Sequence, residues 1–113
     1  MSNNSENLFE IIDVRGILIV CSKAQWEDHL TFNHPILKGK EENVKQAIKD
    51  PETIYQSDEY KNRDVYFGNM GNNKYMKVIV EISAPNYGEV VTAFPRKGKT
   101  GNIDTKVIKY DKS

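Results

Sequence analysis

Two histidines, His29 and His34, lie close together in the 113-residue chain and are its only ones. Imidazole is the side chain whose ordinary pKa allows it both to accept and to donate a proton near neutral pH. The two residues are therefore candidates for a general acid–base pair. Structural roles compete with this interpretation, because His29 can border a core and His34 can cap the carbonyl groups at the end of a helix.

A metal site is not expected from these residues. The two histidines do not have the i, i+4 spacing that stacks two ligands on one helical face, and the single cysteine, Cys21, forms no CxxC element. Asp28 could add a third ligand only by pointing away from His29. Cys21 follows an apolar run and is interpreted as a packed thiol instead of a nucleophile. We expect neither a metal nor another cofactor.

Basic and aromatic residues supply further candidates for contacts with a ligand. The segment RKGKTGN, residues 96–102, is expected to be an exposed basic loop, which is either an ordinary solvated turn or a contact for nucleic-acid phosphates. Arg63 and Lys77 could join it in one positive face. Aromatic residues on strands usually pack in a core, but they suit base stacking if they are exposed together. The tyrosines concerned are Tyr55, Tyr60, Tyr66 and Tyr75.

The element that positions the histidines is predicted to be a helix over residues 23–33. Ser22 is a typical N-cap residue with Gln25 three positions later, which is the pattern of a capping box. Pro35 disfavours helical backbone at the residue before it and ends the helix. The first histidine should therefore lie on the helix and the second at its exit.

The apolar spacing of this helix predicts which way its histidine points. Trp26, His29, Leu30 and Asn33 follow the i, i+3, i+4, i+7 pattern of one helical face. His29 should then border the buried side of the helix, where an imidazole can lie over a cleft.

The other segments predict a second helix and several strands. Residues 9–14 and 17–21 form a predicted hairpin, and residues 41–49 a second helix with an apolar stripe. Further strands are predicted over residues 53–57, 65–68, 75–82, 89–94 and 105–110. Residues 1–7 are expected to be disordered and residues 8–113 to form one α+β domain. Its N-terminal hairpin and two helices should pack on one face of a twisted antiparallel sheet.

The composition limits the classes of function. The sequence has 16 basic and 16 acidic residues, so its formal net charge is zero. This balance argues against an overall basic coat for nucleic acid but leaves local patches open. The sequence also shows no apolar run long enough to cross a bilayer and no signal-peptide pattern. We expect a cytoplasmic protein with no membrane partner.

A series of short motifs extends over residues 23–95. They are Trp26-x-x-His29, His34-Pro35, AIKDPETIYQS (47–57), Arg63 with Tyr66, KVIVEI (77–82) and VVTAFP (90–95). This pattern resembles the phage- and mobile-element-associated families of the barnase, EndoU, colicin and RelE-like (BECR) nuclease superfamily. In those families a W-x-x-H…HP helix, a "dP..I" segment and a "V.TA[YF]" strand recur.

The resemblance implies a RelE/barnase-like α+β domain with a metal-independent RNA-cleaving site on the open side of its sheet. By position, His29 and His34 would be the acid and base, Arg63 would bind phosphate, and Thr92 would line the site. Ile36 departs from the pattern, because related sequences often follow the His-Pro pair with an acidic residue. The residues predicted to contact substrate are Tyr66, Lys77, Arg96 and Lys97.

The function predicted in this way is an endoribonuclease, toxin-like or encoded by a mobile element. Cleavage of RNA without a metal needs a base for the 2′-hydroxyl, an acid for the leaving oxygen and a cation for the charged phosphorane. RNA and an immunity or antitoxin protein are the expected partners. The alternatives are a non-catalytic RNA- or protein-binding module of the same fold and a pure protein-interaction domain, which predicts neither RNA binding nor cleavage.

Overall fold

The computed structural model describes residues 6–98 and 107–112, in which seven strands form one sheet. The strands are β1 (Asn7–Ile12), β2 (Leu18–Ser22), β3 (Thr53–Gln56), β4 (Arg63–Gly71), β5 (Lys74–Ala84), β6 (Tyr87–Lys97) and β7 (Ile108–Asp111). Helix α1 covers residues 23–33 and helix α2 covers Glu41–Lys49, with a 3-10 turn at Pro35–Leu37 between them. The predicted α+β class is confirmed.

The sheet is mixed, whereas an antiparallel one was predicted. Its strand order is β1-β2-β6-β5-β4-β3-β7, and every neighbouring pair is antiparallel except β2 and β6. The parallel pair aligns Leu18 with Tyr87 and Val20 with Glu89. Parallel neighbours need a long crossover between them. Both helices and three antiparallel strands provide that crossover here.

The predicted N-terminal hairpin forms from β1 and β2, but it does not pack on a face of the sheet: β2 pairs with β6, so the hairpin is one edge of the sheet. Gly16 in its turn has a φ of 90°, a conformation that glycine adopts at little cost. Strand β1 begins at Asn7, which pairs with Ser22, so the predicted disordered terminus of residues 1–7 is too long. Residues 1–5 lie outside the described part of the chain.

Strands β4 and β5 are longer than the sequence indicated. The predicted strands 65–68 and 75–82 leave residues 69–74 between them, but only Asn72 and Asn73 form the turn, with φ of 54° and 60°. Positive φ at both central residues is typical of a type I′ hairpin turn, which asparagine tolerates. Two-residue turns of this kind allow strand pairing to continue to the hairpin end.

Strand β6 also extends beyond the predicted strand of residues 89–94 and includes Pro95. The neighbouring strand β2 pairs only with residues 87–89 of β6, so the later part of β6 has an edge without a β2 partner. Proline is tolerated where its missing N–H would face away from the ladder. Residues 96–97 of the predicted basic loop therefore belong to a strand, and residues 99–102 lie outside the described residues. The last predicted strand, 105–110, is represented by β7.

Both helices pack on one face of the sheet, as predicted. Trp26 and Leu30 of α1 belong to the same buried cluster as the stripe of α2. That stripe, predicted from the apolar spacing of residues 41–49, consists of Val44, Ala47 and Ile48. Alternate residues of the central strand complete the cluster: Met76, Val78 and Val80. A period of 3.6 on the helix and of 2 on the strand brings these side chains to one interface.

The closest approach of helix and sheet is between Ala47 of α2 and Gly68 of β4. A Cβ atom added to Gly68 would lie 2.6 Å from both the Cα and the Cβ of Ala47. Glycine is therefore required by packing at this position, because any side chain would push the helix away from the strand.

We expect Gly68→Ala to lower the free energy of unfolding by about 1–3 kcal/mol, because the new methyl group overpacks the interface. Urea denaturation monitored by circular dichroism measures this change. The exposed neighbour Asn43 on α2 provides the control, since Asn43→Ala should change stability by less than about 0.5 kcal/mol. Equal stability of the two variants would contradict the close approach.

Candidate active site

Helix α1 contains a wide turn that changes the direction of its histidine. Gln25–Leu30 is π-helical, and the Thr31 N–H donates to the carbonyl oxygen of Trp26, five residues earlier. The Thr31 hydroxyl donates to the same oxygen at 3.0 Å. A π-helical turn contains more residues than an α-turn and is frequent at functional sites.

This turn moves His29 away from the core. The buried residues of the segment are Trp26, Leu30 and Thr31, at i, i+4 and i+5, while His29 is exposed. The prediction that His29 borders the buried side is therefore wrong, because it assumed the 3.6-residue period of an α-helix. His29 lies on the outer side of α1.

Gln25 fixes the start of α1 against strand β6. Its backbone N–H donates to the Ser22 hydroxyl at 2.9 Å, which is the first half of the predicted capping box. Its side-chain amide donates instead to the carbonyl oxygen of Val91. Val91 is an extra residue in β6, since Ile79 pairs with Thr92 and Val80 pairs with Val90. The bulge leaves a carbonyl for Gln25, and this contact holds α1 along the edge of the sheet.

His34 leaves the end of α1 and contacts the sheet. Its φ of −132° and ψ of 78° are not helical, as expected for a residue before proline. Its imidazole stacks on the ring of Phe94 in β6, with centroids 5.3 Å apart and planes tilted by 30°. The side chain is half-buried. His34 thereby reaches the face of the sheet that lies opposite the helices.

We call this second face of the sheet the distal face. It consists of the β5 residues that alternate with the core residues of that strand, together with their neighbours on β4 and β6. The register gives four rows from β4 through β5 to β6: Asn69–Tyr75–Arg96, Phe67–Lys77–Phe94, Val65–Ile79–Thr92 and Arg63–Glu81–Glu89. Side chains in one row lie side by side, and those in adjacent rows are two residues apart along each strand.

Lys77 occupies the centre of the distal face between two aromatic rings. Its ammonium nitrogen lies 5.9 Å from the ring centroid of Phe67 and 5.4 Å from that of Phe94. Both distances are within the range of a cation–π interaction. Since His34 stacks on the same Phe94 ring, an imidazole and an ammonium group share one aromatic partner. Thr92 is two residues along β6 from that ring.

Arg63 lies elsewhere on the distal face. Its row is four residues from that of Lys77 along β4 and β5, which corresponds to about 13 Å. Its guanidinium pairs with Glu81 at 3.3 Å and lies 4.2 Å from the ring centroid of Tyr60. The structure therefore does not bring Arg63 together with His34, and Lys77 takes the position next to the histidine instead.

Tyr66 is fully buried on the helix side of the sheet. Its hydroxyl donates to the carboxylate of Asp13 at 2.6 Å and accepts from Arg15 at 2.9 Å. Arg15 also pairs with the buried carboxylate of Asp64 at 2.9 Å. Burial and the hydrogen bond to Asp13 raise the pKa of Tyr66. The predicted substrate contact by Tyr66 is contradicted by this burial. Sequence analysis missed Asp13 and Arg15, whose partners are distant in the chain.

The remaining predicted contacts lie at the end of β6. Arg96 is half-buried and faces Tyr75, one row beyond Lys77 and Phe94. Lys97 is exposed and pairs with Lys74, a like-charged neighbour. By strand alternation Arg96 lies on the distal face with Lys77, whereas Lys74 and Lys97 lie on the face of Met76, the helix side of the sheet.

Cys21 is buried in the core, and burial raises the pKa of its thiol to about 12. The thiolate is the reactive form, so its fraction at pH 8 is negligible in the folded protein. We expect the native protein to react with a disulfide reagent at pH 8 far more slowly than the urea-unfolded chain, which the absorbance of the released thiol group measures. Rapid labelling of the native protein would contradict this packing.

Within residues 6–98 and 107–112, no group of three or more histidine, cysteine, aspartate or glutamate side chains is arranged to hold a metal ion. No helix in these residues is long and apolar enough to span a membrane.

Comparison with known proteins adds no relative to these observations. No family model matches the chain, and no curated protein or solved structure was found to be similar to it. The site must therefore be interpreted from its own geometry.

Proposed function

We propose that this protein is a metal-independent endoribonuclease of the BECR type, with its catalytic groups around Phe94. The observation that supports this most strongly is the shared ring: His34 and Lys77 lie 5.3 and 5.4 Å from the centroid of Phe94. The imidazole and the ammonium group are therefore at most about 11 Å apart. A proton-transfer group and a cation on the same aromatic ring are candidates to act together on one phosphodiester.

The roles follow from the chemistry of each side chain. His34 transfers a proton, either from the attacking 2′-hydroxyl or to the leaving 5′-oxygen. Lys77 stabilises the extra negative charge that develops on the phosphorane. Thr92 can donate a hydrogen bond to a non-bridging oxygen from the neighbouring row. Half-burial of these groups reduces screening by water and strengthens both electrostatic contributions.

His29 is the second proton-transfer group in the sequence-based prediction. His29 is exposed on the outer side of α1 and faces away from the core. A variant of His29 therefore tests a different question from a variant of His34: whether the outer side of the helix takes part in the reaction.

The direct test is cleavage of a fluorescent single-stranded oligoribonucleotide in EDTA, from about pH 5 to 9. We expect the parent to cleave, and His34→Ala, purified in the same way, to lose about 100-fold or more of the rate constant. Circular dichroism checks that the variants are folded. If His34→Ala cleaves as fast as the parent, or if the parent does not cleave, the proposed reaction is wrong. Salt-sensitive RNA binding without cleavage would favour the non-catalytic module.

A further inference from the structure

A second feature surrounds His34: an apolar patch that faces solvent. Phe32 is 77% exposed and Ile36 is 60% exposed, and each is two residues from His34. Pro35 between them is also exposed. We call these three residues the exit patch. Their neighbours Leu30 and Leu37 are fully buried, so the same two helical turns pack one side on the core and present the other to water.

The position of the patch distinguishes it from ordinary surface residues. Single exposed apolar side chains are common and need no explanation. Here an aromatic ring and a branched aliphatic side chain flank the histidine that stacks on Phe94. Lys77 is on strand β5, and its ammonium nitrogen lies 5.4 Å from the centroid of the Phe94 ring. The exit patch is thus linked along the chain to His34, which stacks on the ring over which the Lys77 ammonium group lies.

We propose that the exit patch binds an unpaired nucleobase of single-stranded RNA, with the base stacked on the Phe32 ring and in contact with Ile36. The proposal rests on the proposed function only in taking RNA as the ligand. Alternation of an aromatic surface with a cation is how proteins bind single strands, because bases stack while phosphates pair with positive charge. Phe32 supplies the aromatic surface, and Lys77 supplies the positive charge.

Exposed charges on both sides of the patch indicate which part of a nucleotide each end accepts: an acidic residue precedes Phe32, and the cation Lys38 follows Ile36. Asp28 is exposed on α1 one helical turn before Phe32. Its carboxylate repels a phosphate but not a neutral base. The nucleobase therefore lies on the Phe32 side and the phosphate lies on the Lys77 side, with His34 between them. This orientation places a phosphodiester next to the imidazole.

The patch offers a stacking surface and no buried hydrogen-bond group, so it recognises base surfaces more than base identity. Stacking on an aromatic residue tolerates every base, because each has a π-face. A base in a double helix is already stacked on its neighbours and is not available to Phe32. Binding through this patch therefore requires a single strand.

The experiment measures affinity for a labelled single-stranded 2′-O-methyl oligoribonucleotide by fluorescence anisotropy, since the blocked 2′-hydroxyl prevents cleavage. We expect Phe32→Ala and Phe32→Leu to raise Kd about 5- to 100-fold, because both remove the aromatic ring. Phe32→Tyr should keep the parental Kd. Val14→Ala, at an exposed apolar residue of the β1–β2 turn, is the matched control and should also leave Kd unchanged.

Two outcomes would overturn the inference. Either the parent does not bind the oligonucleotide, or Phe32→Ala binds it as well as Val14→Ala does. A parent that binds through Phe32 but does not cleave unmodified RNA would refute the proposed nuclease and support the nucleobase site. A parent that cleaves RNA, with Kd unchanged in Phe32→Ala, would support the proposed nuclease and refute the nucleobase site.

Discussion

Replacing Asp13 with alanine is expected to lower the free energy of unfolding by about 3 kcal/mol or more, one of the largest effects of any single substitution in this chain. The Asp13 side chain is fully buried. One oxygen accepts the backbone N–H groups of Arg15 and Ile17 at 2.8 and 2.9 Å. The other accepts the Tyr66 hydroxyl and the Arg15 guanidinium. Its loss leaves several donors without this acceptor.

The destabilisation follows from burial more than from the attraction between charges. A buried donor that loses its acceptor gives up its hydration without compensation, at a cost of about 1–3 kcal/mol for each group. Arg15 keeps its pair with Asp64 at 2.9 Å, so part of its charge stays balanced. The β1–β2 turn would lose the bond between Asp13 and Tyr66 of strand β4 and would keep the contacts of Arg15 with Tyr66 and Asp64.

Urea denaturation of three variants separates these contributions. Asp13→Ala should be strongly destabilised, and Tyr66→Phe should lose about 1–2 kcal/mol because it removes one hydroxyl and keeps the ring. The exposed Asp28 is the matched control, since Asp28→Ala should change stability by less than about 0.5 kcal/mol. If Asp13→Ala were as stable as Asp28→Ala, the network would not contribute to folding.

The same tyrosine makes stability depend on alkaline pH. Its pKa is raised in the folded state above the ordinary value of 10.0, first by burial and then by the hydrogen bond to Asp13. The folded protein therefore holds this proton more tightly than the unfolded chain does. Stability should fall as the pH rises above about 10, because the unfolded chain then loses the proton first. The fall should be smaller in Tyr66→Phe, as thermal unfolding between pH 8 and 11 would measure.

Lys77→Met is expected to reduce the rate constant of RNA cleavage about 100- to 1,000-fold, the effect of removing one electrostatic contact to a transition state. Methionine keeps an unbranched apolar side chain between Phe67 and Phe94 and removes the charge. The KM for RNA should change less than kcat, because the phosphorane charge exists only in the transition state. Single-turnover kinetics with excess protein measure the chemical step.

Arg63→Met is the matched control for Lys77→Met. Both residues are half-buried cations of the distal face, but Arg63 lies about 13 Å further along the strands. It already pairs with Glu81 and lies over Tyr60. We expect Arg63→Met to retain most of the cleavage rate. If the Arg63 variant lost activity and the Lys77 variant kept it, the arrangement around Phe94 would be the wrong site.

Much of the secondary structure could be predicted because its signals are local. The bounds of α2 and its stripe agree with the prediction, since a 3.6-residue apolar period and acidic residues in the first turn act within nine residues. Ser22 was identified as the cap for Gln25 for the same reason. The alternation of apolar residues in β5 also predicted its buried face, Met76, Val78 and Val80.

The candidate site could be predicted only in part. His34 was selected from its type and from Pro35, and it does lie at the helix exit. His29 was assigned to the wrong side, because one extra residue in a helical turn rotates every later side chain. Arg63 was paired with the histidines by resemblance, whereas the strand register places Lys77 in the row of Phe94. The nuclease activity and the BECR relationship stay predictions.

The sequence by itself determined the α+β class, the hairpin, both helices and the packed state of Cys21. Helix caps, turns and apolar periodicity depend only on residues that are close together in the chain. The tertiary structure alone decided which distant residues meet. The bulge at Val91, the parallel pairing of β2 with β6 and the burial of Asp13 against Tyr66 each depend on contacts between elements far apart in the chain. A shift of one residue in strand register reverses the faces, so only the packed sheet could place Lys77 and Phe94 beside His34.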